Sequence, residues 1–442
     1  MGKYVRLTYV SAAALICGLG ISGHAQAGGY AVREQSTQFM GTSFAGDAAG
    51  GDLSSMFWNP AAAASANGIN FSSNYTLLLP DSHVTATGGD FLAERYSPNS
   101  GGYSIDAIVP ASYANYQLSD RWFLGLALNS PFGFTTGPSN TWAGSPIENT
   151  SKIFTLDINP TLAYKVTPQI TVGAGVQIEY FKISESSGAG SLGPLAWTGR
   201  TSSLDDWGVG ATAGVIWQPS ALTSLGLGYR GQVEVNPSGD CSGRGLTNIQ
   251  AGNPSGCYVN GNGVAVHSSV TLPDSLTLSG RQQVTPQLAL LGTIEWTDWS
   301  LIHPVSAYNS AGTAVDALHV GFDDGWFFAI GAEYAYSPRL TLRTGLSYEV
   351  SPVTDANRTQ FLPDANRWTP SVGASYKWSD RITVDLAYSH IFFNDAHFTE
   401  TATVAPFVTF TLLDAVAKTD VDVVSLGLKY KFAGAAALEP YK

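Results

Sequence analysis

Period-two alternation along some fourteen segments, aromatic residues gathered near segment ends and an N-terminal export signal predict an all-β membrane protein. The expectation is a 14-stranded antiparallel outer-membrane β-barrel with a small N-terminal hatch plugging the lumen. Composition agrees. Of 442 residues only 13% are charged, against about 25% in ordinary soluble domains, while 44% are hydrophobic and 48 are Gly. So much apolar surface with so little self-repulsion excludes disorder. Twenty-two basic against 34 acidic residues give a net charge of -12, which excludes nucleic acid as a partner.

Residues 1–27 read as a signal peptide. Lys3 and Arg6 precede an apolar run from Tyr9 to Ile21 that ends in Ala25-Gln26-Ala27, a small-residue cleavage site before Gly28. The run is well short of the roughly 20 residues that span a bilayer as a helix. Ile16 stands where a lipid-modified Cys17 would need a small neighbour. With no spanning helix, a closed barrel is the remaining way to satisfy every backbone group in lipid.

Residues 28–66 lack sustained alternation and are rich in small residues; they are the expected hatch, too short to bury a core alone. The barrel is expected over 67–432 and a C-terminal tail over 433–442. Its strands are predicted at 67–79, 102–117, 122–135, 152–166, 170–184, 204–217, 224–236, 264–280, 287–299, 325–336, 340–351, 367–378, 382–393 and 421–432. In the fifth, Ile170, Val172, Ala174, Val176, Ile178 and Tyr180 share one face, and Thr171, Gly173, Gly175, Gln177 and Glu179 the other. A soluble sandwich also alternates. Trp207, Trp217, Trp296, Trp326, Tyr334, Tyr336, Trp368, Tyr376 and Trp378 lie near strand ends on the apolar face, as interface girdles require. Tight turns such as Thr167-Pro168-Gln169 and Ser379-Asp380-Arg381 alternate with long loops, the asymmetry of an outer-membrane barrel.

Three runs carry a resemblance: Trp58-Asn59-Pro60-Ala61, Glu295-Trp296-Thr297-Asp298-Trp299-Ser300 and Leu362-Pro363-Asp364-Ala365-Asn366-Arg367. They resemble the long-chain fatty acid transporter (FadL) family, and the likeness spans nearly the whole mature chain. The resemblance implies a plugged fourteen-strand barrel that takes hydrophobic ligand from an extracellular groove and releases it sideways where the third strand kinks inward. It assigns Asn59, Pro60 and Ala61 to hatch and gating, with Asn59 and Pro60 holding the hatch near that kink.

The residues supply their own trace of a wall opening. Pro131, followed by Phe132 and Gly133, lies in the third strand, and proline removes a ladder donor. Pro110 is expected opposite Asn129 and Pro160 at about the same height, so the gap is placed at Pro110, Pro131, Phe132, Gly133 and Pro160. Leu192, Leu195 and Trp197, with Leu246, Ile249, Tyr258 and Val259, are candidates for first ligand contact, or simply pack the loops. By parity Arg230, Arg343, Arg367 and Lys377 face the lumen, as do Glu179, Glu234, Glu333, Glu349 and Asp385. A base there could meet a fatty acid carboxylate or be spent on an internal ion pair. Cys241 and Cys257 are expected to form a disulfide stapling one loop, a metal site needing more ligands than that loop offers.

The expected function is therefore uptake of long-chain fatty acids or related hydrophobic molecules, alternatively of aromatic hydrocarbons, with a general diffusion porin as rival. Neither catalysis nor a cofactor or metal is expected. Expected partners are the hydrophobic cargo, outer-membrane lipid and the insertion machinery that reads the aromatic-ended strand Leu426–Phe432, with the barrel a monomer.

Overall fold

The computed structural model describes residues 28–90, 95–192, 195–197, 199–243, 257, 263–302, 305–318, 321–405 and 408–432. The expected signal peptide and tail lie outside them. Fourteen strands form the wall: β1 Ile69–Gly88, β2 Ala107–Gln117, β3 Trp122–Asn129, β4 Thr150–Lys165, β5 Ile170–Ser187, β6 Arg200–Ser220, β7 Thr223–Arg230, β8 Ser275–Gln283, β9 Leu288–Thr297, β10 Gly325–Ala335, β11 Leu340–Val350, β12 Arg367–Lys377, β13 Ile382–Phe393 and β14 Val408–Lys431. Each pairs antiparallel with its neighbour in sequence, and β14 closes the barrel on β1 from Asn70↔Lys431 to Gly88↔Asp414. Closure leaves no sheet edge in lipid.

Alternation translates directly into two faces. On β5, Val172, Val176 and Ile178 are exposed to the bilayer side while Gln177 and Glu179 are buried inside. Rings pair across strands at both rims, Trp122 with Tyr164 at 4.4 Å beside a tight turn and Tyr348 with Trp368 at 4.4 Å at the opposite end.

Several boundaries differ from expectation. β1 and β14 run well past the apolar band because their polar ends, including Ser82 and Thr419, keep pairing with each other. The seventh strand leaves the wall after Arg230. Val233–Val235 instead pairs with Val270–Leu272, and this ribbon lies over Gly208 and Gly210, where a side chain would collide with Val233. Val233 and Val235 are buried and Glu234 is exposed, and residues 264–272 are not part of the eighth wall strand.

Residues 28–66 fold into one helical turn, α1 (Thr37–Met40), and three short 3-10 turns at Asp47–Ala49, Leu53–Phe57 and Pro60–Ala64. The segment is buried almost throughout. Its packing surface is the inner wall, where alternate positions are glycine. A Cβ on Gly173 would strike Ala61, on Gly214 Asn59, on Gly226 Ala48, on Gly228 Trp58 and on Gly345 Thr42. Missing side chains thus make the bed on which this segment rests. Phe39, Phe44 and Phe57 ring Trp58 at centroid distances of 5.9, 6.0 and 4.9 Å, a small aromatic core that the segment closes against the barrel. Ser43 and Phe44 both hold positive φ, 50° and 66°, a strained pair pinned where the Ser43 hydroxyl donates to the Thr369 carbonyl at 2.7 Å.

Candidate functional site

The site is a break in the wall. β2 and β3 pair from Gln117↔Phe123 only as far as Ser112↔Leu128. Pairing resumes at the Ser104↔Thr136 bridge. Between them, Ser130, Pro131 and Phe132 turn inward and give their backbone groups to the N-terminal segment. Gln35 Nε2 donates to the Ser130 carbonyl at 2.7 Å, Val32 N–H to Pro131 O at 2.7 Å and Gly133 N–H to Tyr30 O at 2.8 Å. The Phe132 N–H is taken by the Thr155 hydroxyl at 2.9 Å. Proline is the local cause: at 131 it has no N–H to continue the ladder.

Two of the sequence positions need correction. The β2–β3 register puts Pro110 level with Ser130, one residue from the expected partner, because the turn is one residue longer than a centre on Ser119-Asp120 implies. Pro160 pairs with Leu126, five residues below Pro131, and interrupts the β4–β5 ladder between Ile158↔Ile178 and Thr161↔Gly175. It lies apart from the break.

Inside the break lies a cleft lined by Val32, Phe57, Trp58, Phe132, Val233 and Leu272, with Arg33, Glu179, Arg230 and Glu295 as its charged members. Toward the extracellular side it adjoins an aromatic cluster in which Tyr30 meets Trp299 at 4.8 Å and Phe132 at 5.8 Å. On the periplasmic side a separate polar vestibule of ≈740 Å³ is rimmed by Gln169, Gln218, Arg281, Arg343 and Lys377.

The four anticipated bases divide three to one. Arg230 donates to Asp157 at 2.9 Å and to the Phe57 carbonyl at 3.1 Å, and lies over the Phe57 ring. Arg343 pairs with Glu333 at 2.8 Å. Arg367 pairs with Glu349 at 2.8 Å and Asp364 at 3.0 Å. Lys377 has no ion pair among the described residues and is exposed at the vestibule.

Two cations that tie the N-terminal segment to the wall escaped sequence reading. Arg33 bridges Glu295 at 2.8 Å and Glu349 at 3.3 Å. Lys429 bridges Asp52 at 2.7 Å and Asp385 at 2.9 Å. The second was readable, since Leu426 and Leu428 face lipid and parity turns Lys429 inward; the first sits in a stretch without period. Burial pushes the carboxyls of Glu34 and Asp47 up to about 7, although Asp47 accepts from Ser279 at 2.7 Å and Thr293 at 3.1 Å.

Asn59 is wholly buried. Its amide donates to Ala48 O at 2.8 Å and to Val215 O on β6 at 3.0 Å, and its oxygen accepts from Ala61 N–H at 3.0 Å. Pro60 begins the turn that Asn59 caps, fitting a position whose N–H has no helical partner. Asn59, Pro60 and Ala61 therefore press on β5 and β6, and the turn they begin reaches β2, where the Asn115 amide donates to the Ala63 carbonyl at 2.9 Å. The other shared runs meet the beginning of the segment 28–66: Asp364 accepts from Gly29 N–H at 3.0 Å, and Trp299 packs on Tyr30.

Leu192, Leu195 and Trp197 fall on a short hairpin, Gly190–Leu192 with Leu195–Trp197, whose side chains lie outside the described residues, as do Leu246, Ile249, Tyr258 and Val259. Cys241 and Cys257 are joined as a disulfide, Cα atoms 5.2 Å apart. Among the described residues no three His, Cys, Asp or Glu converge as metal ligands.

Comparison with known proteins agrees with this architecture. The family model described as "Outer membrane protein transport protein (OMPP1/FadL/TodX)" matches residues 18–432. A long-chain fatty acid transport protein of Escherichia coli O6:H1 is 28% identical over 409 residues, covering 86% of this chain and 90% of that one. The crystal structure of a Pseudomonas aeruginosa FadL homologue superposes with a TM-score of 0.82 at 22% identity, covering 92% of this chain and 100% of its own. The Pseudomonas putida toluene transporter TodX superposes at 0.63 with 18% identity, covering 92% and 100%. The chain belongs to the OMPP1/FadL/TodX family of outer-membrane transport proteins, and its place is the bacterial outer membrane.

Proposed function

We propose that this barrel imports long-chain fatty acids or related hydrophobic molecules, with residues 28–66 acting as a hatch and the interruption between β2 and β3 as a sideways exit into the membrane. The observation that carries this reading is the shared hydrogen bonding of Tyr30, Val32 and Gln35 with residues 130–133. Movement of the segment then moves the lip of the opening. Exit through the wall keeps an acyl chain out of water, where exposure costs about 0.8 kcal/mol per CH2. The apolar residues from Trp299 and Tyr30 to Phe132 supply a path of matching chemistry toward the break. Asn59, Pro60 and Ala61 are read as an anchor of the hatch, and Pro110, Pro131, Phe132 and Gly133 as the rim.

Import of aromatic hydrocarbons is supported by a different observation: three of the four expected lumenal bases are already paired with carboxylates. Uptake of labelled oleate and labelled toluene by cells lacking their own hydrophobic transporter, with and without this gene, separates the two. Oleate uptake supports the fatty acid reading and toluene alone the hydrocarbon reading. Entry of neither, with a large steady current across planar bilayers, would contradict both in favour of a porin.

A further inference from the structure

Glu179 is the one charged group lining the cleft whose side chain is left over. It is completely buried on β5, and both carboxyl oxygens lack a hydrogen-bond partner among the described residues. Its neighbour Thr155 spends its hydroxyl hydrogen on the Phe132 carbonyl at 2.9 Å. Arg230, the guanidinium facing the same cleft, is held by Asp157 and by Phe57 O, and Arg33 by Glu295 and Glu349. Glu179 also stands directly opposite Asp157 in the β4–β5 ladder.

Buried polar groups are ordinarily satisfied, and leaving one bare costs on the order of 1–3 kcal/mol. Here the bare group faces a cleft with about 40 Å³ of free space, enough for a headgroup though not for a chain. The surrounding charge favours the same conclusion. The guanidiniums of Arg33, Arg230 and Arg367 face five carboxylates, those of Asp157, Glu179, Glu295, Glu349 and Asp364. A ligand carboxylate brought here would add charge to an acidic excess and could only accept hydrogen bonds, while Glu179 has accepting oxygens to fill.

Resting on the import reading above, we propose that Glu179 is the headgroup acceptor of the lumenal site, so that the cargo is held there as an uncharged amphiphile bearing a hydroxyl, a long-chain alcohol or a fatty acid in its protonated form. A hydroxyl both donates and accepts, so it satisfies Glu179 whether that carboxyl is ionised or protonated. The apolar tail leaves this cleft past Phe132, toward the aromatic side chains of Tyr30 and Trp299.

Equilibrium dialysis of the purified full-length barrel with radiolabelled 1-dodecanol or dodecanoate tests this. Near pH 10, above the range of a free carboxyl and of a buried one, dodecanol binds about tenfold more tightly than dodecanoate, a difference of the size that one buried charge produces. Glu179→Gln brings dodecanoate to parity by removing the competing charge. A second readout needs no variant: lowering the pH through the ligand's own carboxyl range raises wild-type affinity for dodecanoate and leaves that for dodecanol unchanged. Equal or tighter binding of dodecanoate near pH 10, or a ratio unmoved by Glu179→Gln, overturns the assignment of Glu179 alone. Binding of neither ligand overturns it together with the import reading.

Discussion

The two seams flanking β1 and β2 are built to opposite ends. Between β1 and β14 the ladder runs the full height of the barrel and beyond, from Asn70↔Lys431 to Gly88↔Asp414. Between β2 and β3 it stops at Ser112↔Leu128, and above that point backbone groups of Ser130, Pro131 and Gly133 are taken up by residues 30–35. Both arrangements satisfy the backbone, as a wall in lipid must. The first does so within the wall, and the second only while the N-terminal segment stays in place. On the proposed reading, the weak seam is thus conditional on the N-terminal segment.

Sealing the weak seam is the most severe way to break this contrast. One further step of register puts Ala111 opposite Asn129, so the double variant Ala111→Cys, Asn129→Cys closes the break when oxidised. Oleate uptake is expected to fall by about tenfold or more and to return on reduction, as expected when a gating movement is blocked, while the parent barrel under the same reductant is unchanged. Full uptake through the locked seam would place the exit elsewhere.

Gly228→Val attacks the hatch from the wall, because the new side chain meets the Trp58 carbonyl. Overpacking of this kind costs about 1–3 kcal/mol; the barrel should still form, with raised planar-bilayer conductance. Arg33→Met leaves Glu295 and Glu349 facing each other without their shared cation. Removing one partner of a buried pair costs about 3–5 kcal/mol, read as faster amide exchange over residues 28–66 with β1–β14 exchange unaltered. Asn59→Ala gives up its bonds to Ala48 and Val215, about 1–3 kcal/mol, and should lower uptake while the heat-modifiable barrel persists.

The smallest expected effect is on pH. Burial raises the Asp47 carboxyl to about 7, so the docked segment holds a proton that the released segment gives up near the ordinary value of roughly 4. Between those values the released state binds fewer protons, and docking weakens as pH rises, levelling above about 7. Asp47→Asn should lessen that slope in exchange rates corrected for intrinsic chemistry, leaving the part that Glu34 contributes by the same burial; an unchanged slope would assign it to Glu34 or another group.

Strand number and neighbour order were legible because alternation, girdle aromatics and turn spacing agree at every hairpin. Strand ends were not. Past the aromatic band Asp81, Ser82 and His83 read as loop, yet they pair with Lys418, Thr419 and Asp420. Val233 and Val235 continue the apolar beat of β7, so nothing in the pattern reports that the chain has turned inward at Gly231. The site was visible in Pro131 and in the parity of Glu179 and Arg230. Its partners on residues 30–35 were hidden, since a segment that borrows its core from a wall carries no period of its own. The inward glycines were in plain view as gaps in the polar face, and their purpose emerged only with Ala61, Asn59 and Trp58 seated on them.

The most direct test of lateral exit is to follow the cargo. A photoactivatable long-chain fatty acid, irradiated during uptake and mapped by mass spectrometry, should label Ile105 and Ile108 on the β2 side and Phe132 on the kink. Labelling confined to Gln169, Gln218 and Lys377 in the periplasmic vestibule would show that the cargo passes straight through the lumen and would contradict a sideways route.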